Sequence, residues 1–249
     1  MMKKTLIATA LMTAISTTAL ADISGNVALT TDYVFRGVSQ TDNQMAIQGG
    51  LDYEHPSGLY VGTWASNVNS AFFNDPTGDT PKNYGIDPQI ELDLYGGYKG
   101  KVNDSIGYDV GYIRYQYPGY SKVDTNEIYV KGSFKEFSAS LNYSDELKFL
   151  PSSESAWYLA AGYDTTLPVA DVGLSVHVGY SFGDAFDVST NTATTYGLPD
   201  SYTDWSVGLS KSLMGVDLGL TYTDNNLSNA DCDINICDSK VVFSVSKSL

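Results

Sequence analysis

The sequence predicts an all-β fold, a transmembrane antiparallel up-and-down β-barrel of about twelve strands with both termini on the periplasmic side. Three observations predict it. Apolar and polar residues alternate with a period of two along most of the chain, and the connections between strands alternate between long and short. Most predicted strands are also about 9 to 12 residues long, which is the length that a tilted strand needs to cross a bilayer.

The first residues have the pattern of a cleaved export leader. Two lysines precede an apolar stretch over 5–14, and Ala19 and Ala21 supply the small residues that a signal peptidase reads. No cysteine follows this point closely enough to be lipidated. The expected organisation is a signal peptide over residues 1–21 and one outer-membrane barrel over residues 22–249.

The strands are predicted in chain order from the alternation. The first begins with Ile23, Val27 and Leu29 on one face, and the same alternation continues to Phe35 and Arg36. Further strands are predicted at about 44–54, 59–68, 89–99, 105–117, 126–135, 137–145, 155–166, 172–182, 202–213, 216–224 and 239–249. The strand over 59–68 carries large apolar residues on both faces, so the facing of Trp64 stays open.

The connections distinguish a membrane barrel from a soluble sandwich. Long connections are predicted at 37–43, 69–88, 118–125, 146–154, 183–201 and 225–238, and short ones at 55–58, 100–104, 136, 167–171 and 214–215. Long loops on one rim, with tight turns and both termini on the other, are typical of outer-membrane barrels. Periodicity alone does not distinguish such a barrel from a soluble barrel, in which the apolar side chains point inward and the polar ones outward. The loops, the leader and the many tyrosines favour the membrane barrel.

Charge and hydrophobicity exclude two classes of protein. After the leader the chain carries 12 basic and 29 acidic residues, a net charge of −17. Nucleic acid is excluded as a partner because phosphate contacts need clustered Lys and Arg. No apolar run of about 18 residues follows the leader, so any membrane span must be β. The expected location is the cell outer membrane, and the expected partners are outer-membrane lipid, lipopolysaccharide, the barrel-assembly machinery and small hydrophilic solutes.

The two cysteines, Cys232 and Cys237, lie in one acidic segment, and in an exported protein the default is a local disulfide. A zinc site would need two further ligands nearby. Asp231, Asp233 and Asn235 have the spacing of the first ligands of a calcium loop, but the Gly and Glu that complete such a loop are absent. A solvated acidic loop is therefore the better interpretation, and no cofactor or metal site is expected.

Catalysis is not expected, because histidine is scarce and no catalytic motif occurs. His55 falls in a predicted periplasmic turn, and His177 lies in mid-strand among serines, where a polar wall residue is the more common role. The sequence contains no nucleophile elbow, phosphate-binding glycine loop or H-E-x-x-H pair. We therefore predict that the protein is not an enzyme.

Three segments resemble a known family. TTDYVFRGVSQTD at 30–42, AIQGGLDYEHPSGLYVGTWASNV at 46–68 and IELDLYGGY at 90–98 are similar to the TorF-type porin family of proteobacteria. The similarity covers about the first 40% of the chain after the leader. It implies a secreted outer-membrane barrel that acts as a channel, without catalytic residues, and it does not indicate the solute.

The predicted function is passive diffusion of small hydrophilic solutes through a porin-like channel. Strand parity places these charged or polar residues inside as pore-lining: Asp32, Arg36, Asp52, Glu54, Glu91, Asp93, Asp109, Glu127, Lys131, Asp164, His177, Asp204, Asp217 and Lys240. With Lys99, the inner face carries ten acids and four bases, so cations should be preferred over anions. The alternative is a structural or surface-interaction barrel with a blocked lumen. Whether a loop folds inward stays open.

Overall fold

The computed structural model describes residues 22–69, 88–148, 154–168, 170–186, 199–228, 232 and 234–249. The predicted signal peptide, most of the predicted loop over 69–88 and part of the loop over 183–201 lie outside the described residues.

Twelve antiparallel strands form a closed barrel, and this confirms the predicted fold class. They are β1 (Asp22–Thr30), β4 (Ala46–Glu54), β5 (Leu59–Asn67), β6 (Ile90–Asn103), β7 (Ile106–Gln116), β8 (Thr125–Phe134), β9 (Phe137–Ser144), β10 (Ala156–Leu167), β11 (Val172–Phe182), β12 (Ser201–Leu213), β13 (Val216–Asn225) and β14 (Lys240–Ser248). A small hairpin of β2 (Val34–Phe35) and β3 (Val38–Ser39) stands apart from the barrel sheet. A single helical turn, α1 (Ile234–Cys237), precedes the last strand.

The barrel closes between its first and last strands. Asn26 of β1 pairs with Ser248 of β14, and Thr30 pairs with Ser244. Closure leaves the barrel sheet without a free edge, which is a condition for a sheet that crosses a bilayer. No helix in the described part of the chain has the length and hydrophobicity of a membrane span.

The outer surface of the barrel is apolar. Ile47, Leu51, Val61, Ile128 and Val130 are each more than half exposed, although all lie within strands. Apolar side chains in this number and continuity would be unfavourable in water, and they match the lipid-facing band of a membrane barrel.

Aromatic pairs flank this apolar band. Phe137 packs against Tyr163 and Tyr98 against Tyr108 beside the short turns, with ring centroids 4.9 and 6.0 Å apart. Towards the long loops, Tyr143 packs against Trp157 at 4.5 Å and Trp205 against Tyr222 at 5.2 Å. Aromatic side chains at these two levels suit the two membrane interfaces.

The facing of β5, which the sequence left open, is now clear. Leu59 and Val61 are exposed on the lipid side, whereas Tyr60 is buried on the inner face and Trp64 packs there against Tyr33. Tyr60 hydrogen-bonds to Asp109 of the wall, whereas Trp64 packs against a structure inside the barrel.

That structure is the first long loop, and it corrects the predicted first strand. The strand ends at Thr30 rather than at Arg36, and the following segment turns into the barrel interior. We call residues 31–45 the inserted loop. Asp32 and Arg36 therefore lie in this loop and not on the barrel wall. The alternation misled the prediction because the inserted loop also turns apolar side chains, Tyr33 and Phe35, towards a wall.

Candidate functional site in the barrel interior

The tip of the inserted loop reaches across the barrel. Arg36 Nη2 donates a 2.6 Å hydrogen bond to Oε2 of Glu127 in β8, and the guanidinium carbon lies 4.1 Å from the ring centroid of Tyr158 in β10. The carbonyl oxygen of Gly37 accepts a 2.7 Å hydrogen bond from Nδ2 of Asn225 in β13. Contacts with strands this far apart around the barrel place the loop tip within the interior.

Arg36 is held as a charged group. It is almost fully enclosed, and burial alone would lower its pKa, but the negative charge of Glu127 raises that pKa above its ordinary value. The ion pair is shielded from solvent, with 12% of the Arg36 side chain and 3% of the Glu127 side chain exposed. Removing either partner would leave the other charge buried without compensation.

A second set of contacts fixes the side of the inserted loop nearest β5 and β6. The ring of Tyr33 packs edge to face on Trp64, with centroids 5.3 Å apart. The hydroxyl groups of Tyr33 and Tyr117 donate hydrogen bonds of 3.0 and 3.2 Å to the two carboxylate oxygens of Glu91. Burial raises the pKa of Tyr33 well above its ordinary value, and the hydroxyl therefore stays a donor.

Asp32 organises the base of the inserted loop. Its Oδ1 accepts hydrogen bonds from the hydroxyl groups of Ser39 at 2.6 Å and Thr41 at 2.8 Å. Its other oxygen lies 3.5 Å from the ammonium nitrogen of Lys240, at the start of β14. These contacts tie the two arms of the loop to each other and to the last strand.

The last long loop covers the inserted loop. Val38 packs against Ile236 and Cys237 in one buried cluster, and Asn225 Nδ2 also donates a 2.9 Å hydrogen bond to the carbonyl oxygen of Cys237. The disulfide between Cys232 and Cys237 is present, as predicted. It closes the segment that rests on the inserted loop.

The predicted inner-face acids nearest the long loops are all buried. Glu91, Asp93, Glu127 and Asp204 are each at most 5% exposed. Asp204 accepts hydrogen bonds from the hydroxyl group of Tyr158 at 3.1 and 3.2 Å. These four predicted pore-lining acids are therefore enclosed beneath the inserted loop rather than open to solvent.

His177 joins the same network from a partly exposed position, with 38% of its side chain exposed. Its Nε2 lies 2.9 Å from the hydroxyl oxygen of Tyr158 and 3.3 Å from Oδ1 of Asp204. Tyr158 is thus held by both groups, and its ring face stays turned to Arg36. A positioning role for His177 explains these contacts without catalysis.

The half of the interior nearest the short turns is more open. Asp52 accepts a 2.6 Å hydrogen bond from the hydroxyl group of Tyr95, and Asp109 accepts one of 2.7 Å from Tyr60. Both acids are partly exposed. The other predicted pore-lining residues in this half are Glu54, Lys131, Asp164 and Asp217. Of these, Asp217 is buried and the other three are partly exposed, with Glu54 paired to Lys99.

Two predictions concern groups outside this interior. His55 lies in the turn after β4, where its Nδ1 is 2.8 Å from the hydroxyl oxygen of Ser57. The calcium-like spacing involves Asp231 and Asp233, which lie outside the described residues. In the part of the chain that the structure describes, no group of three or more His, Cys, Asp or Glu side chains is arranged to hold a metal ion.

Sequence reasoning missed the aromatic groups that receive the inserted loop. A pocket lies between the loop and the wall, and its lining consists of Phe35, Arg36, Gln40, Glu91, Tyr115, Tyr117, Thr125, Glu127, Ser144 and Leu147. The available signal was Trp64, a large aromatic residue on the unexpected face of β5, which packs against Tyr33 of the inserted loop.

Comparisons with known proteins agree with this architecture. A family model described as "Bacterial protein of unknown function (Gcw_chp)" matches residues 14–249. No curated protein has a sequence that matches the chain.

Solved structures with a similar fold include outer-membrane porins. KdgM porin in complex with disordered oligogalacturonate superimposes with a TM-score of 0.53 at 10% identity, covering 92% of this chain and 99% of that chain. Another structure of KdgM porin gives a TM-score of 0.52, again at 10% identity with 92% and 99% covered. OprD from Pseudomonas aeruginosa gives 0.40 at 12% identity, covering 92% of this chain and 66% of that chain.

The chain has the fold of a porin-like outer-membrane barrel. Together with the apolar outer surface, this fold confirms the predicted location in an outer membrane. The resemblance to TorF-type porins agrees at the level of a porin-like barrel.

Proposed function

Because the chain belongs to the Gcw_chp family of bacterial proteins and forms a porin-like barrel, we propose that it is an outer-membrane channel for small hydrophilic solutes that prefers cations. One observation carries the proposal: the closed barrel has an apolar exterior and an interior lined by polar and ionisable side chains. A polar interior of this kind, with several ionisable side chains still partly exposed, is what a path for hydrophilic solutes requires.

The charge of the interior supports the preference for cations. Ten acids and four bases lie on the inner face or in the inserted loop, and three ion pairs, Arg36–Glu127, Lys99–Glu54 and Lys240–Asp32, use three of the bases. The partly exposed Asp52, Asp109 and Asp164 leave the half nearest the short turns negative. Such a field inside low-dielectric walls concentrates cations and repels anions.

This charge also separates the chain from its structural neighbour. One KdgM structure holds oligogalacturonate, a chain of acidic sugars. An interior with an excess of carboxylates would repel such a polyanion, so the proposed solutes are cationic or neutral.

The alternative function, a structural or surface-interaction barrel with a blocked lumen, is favoured by one specific observation. The inserted loop is tied to the wall by buried hydrogen bonds and ring contacts on several sides. If these contacts never break, solutes would not pass.

Planar-bilayer recording separates the two functions. The purified barrel should conduct KCl in small steps, and replacing residues 34–39 by a two-residue Asn-Gly turn should raise the conductance severalfold. A barrel that conducts only after this replacement would support the blocked alternative. A barrel that does not conduct in either form would overturn the channel proposal.

Three finer predictions are retained as parts of the proposal. Residues 1–21 are a cleaved leader before a single domain over 22–249, the predicted inner-face residues other than Asp32 and Arg36 line the solute path from the barrel wall, and the family relationship extends to TorF-type porins. The absence of enzymatic activity is supported by the porin fold and by the positioning contacts of His177.

A further inference from the structure

The guanidinium of Arg36 lies in a site with three recognition elements, two on the barrel wall and one, the Phe35 ring, in the inserted loop itself. Glu127 supplies a carboxylate 2.6 Å from Nη2, the Tyr158 ring lies 4.1 Å from the guanidinium carbon, and the Phe35 ring lies 4.7 Å from it. A carboxylate combined with aromatic faces is the arrangement that recognises organic cations. The structure thus contains the site with a guanidinium already in it, supplied by the chain itself.

The wall part of the site is held in place by groups that do not belong to the inserted loop. Glu127 Oε1 accepts hydrogen bonds from Nδ2 of Asn142 at 2.8 Å and from the hydroxyl group of Tyr115 at 3.3 Å, and Oε2 accepts one from Ser144 at 3.3 Å. Tyr158 is fixed separately by Asp204 and His177. The carboxylate and the ring face would therefore stay in position if the inserted loop moved away.

The surroundings favour a cation over a neutral group. Asp93 lies on the same face of β6 as Glu91, and one of its carboxylate oxygens is buried without a hydrogen-bond partner in the described structure. Arg36 is the only base among the lining residues of the pocket. Removing its charge would leave buried carboxylates uncompensated, so the site would gain by taking another cation.

We propose that Glu127 and Tyr158 form a binding site for guanidinium-bearing solutes, and that Arg36 of the inserted loop occupies it as an internal competitor. This inference rests on the proposed function, because it names the solute class of the same interior. An incoming guanidinium compound would replace the Arg36 side chain at Glu127 and so release the loop tip. A tethered arginine has an effective concentration of mM or more, so the free ligand competes weakly in the intact protein.

Calorimetric titration of the detergent-solubilised full barrel tests the proposal without relying on conductance. The probe is arginine amide, and methylurea is the planar neutral control. Arg36→Ala should bind arginine amide at least tenfold more tightly than the wild type, and the Arg36→Ala/Glu127→Gln double variant should lose that gain. Lys131→Ala is the matched control, because it removes another base from β8, the strand that carries Glu127, but leaves Arg36 and the contacts of the inserted loop in place; its affinity should equal that of the wild type.

Each outcome decides the proposal. Equal affinity of Arg36→Ala and wild type, or equal binding of arginine amide and methylurea, would overturn it even if the barrel conducts ions. Tight binding to Arg36→Ala by a barrel that never conducts would support the site and overturn the channel. If Arg36→Ala does not assemble, judged by the gel migration of heated and unheated samples, Arg36→Gln keeps a hydrogen-bonding end and is subject to the same criteria.

Discussion

Gly37, at the tip of the inserted loop, is required both for its backbone conformation and for its closeness to the wall. Its φ is +79°, and a Cβ there would lie 2.8 Å from Cβ of Asp204 and 3.1 Å from Cβ of Asn225. In Gly37→Ala the left-handed conformation alone costs about 1–2 kcal/mol, and the clash adds to it. The tip should therefore undock while the barrel still closes, and single-channel conductance should rise at least twofold.

Gly119→Ala provides the matched control for this prediction. Gly119 also has a positive φ, +89°, but nothing lies within 4 Å of the position its Cβ would take. The backbone cost is then similar and the clash is absent, so its conductance should equal that of the wild type. An unchanged conductance in Gly37→Ala would contradict the assignment of the inserted loop as the constriction.

At the scale of elements, the last long loop acts on the inserted loop rather than on the barrel. Cys237 and Ile236 pack on Val38, and no barrel strand depends on the disulfide for its pairing. In the Cys232→Ser/Cys237→Ser variant the loss of this short covalent ring removes a constraint worth about 2 kcal/mol on the unfolded-chain model. The expected result is faster proteolysis within residues 31–45 and unchanged gel migration of the unheated barrel.

Reduction of the wild type should reproduce the behaviour of this double variant, and reductant should not change the variant further. Free thiols in protein purified without reductant would contradict the disulfide itself. Loss of the unheated migration would show that the disulfide holds the barrel, contrary to the contacts described.

The barrel strands could be predicted from sequence because lipid and lumen impose opposite polarity on alternate residues. The strand predicted at 172–182 matches β11, and that at 137–145 matches β9 within one residue. The inserted loop was not predicted, because Tyr33 and Phe35 alternate as strand residues do while facing a wall inside the barrel. Local periodicity reports that one face is packed, but it does not report against which surface.

The positions of the charged residues on the inner face were predictable from the sequence, but their burial was not. Glu91 and Asp93 fall on the inner face by parity alone, as expected from the sequence. Their burial follows from the inserted loop, whose position depends on contacts between residues far apart in the chain, such as Tyr33 with Glu91. The acids that remain open to solvent are therefore those nearest the short turns.

At the scale of the whole molecule, the excess of acids over bases inside the barrel should give a cation preference. Reversal potentials across a bilayer with a KCl gradient should have the sign of K⁺ selectivity at low salt. The preference should shrink as salt rises, because the screening length falls to about 3 Å at 1 M. Anion preference at low salt would overturn the assignment of the inner-face carboxylates.

The partly exposed acids should dominate this preference, because Glu91 and Asp93 are enclosed beneath the inserted loop. The triple variant Asp52→Asn, Asp109→Asn and Asp164→Asn removes three of these partly exposed acids, so the reversal potential should fall by more than half. Replacing the three exposed turn acids, Asp104, Glu136 and Asp171, by their amides makes the same change in net charge outside the bore. That control should shift the potential much less. Equal shifts in both triple variants would mean that net charge at the periplasmic rim, rather than carboxylates along the path, sets the selectivity.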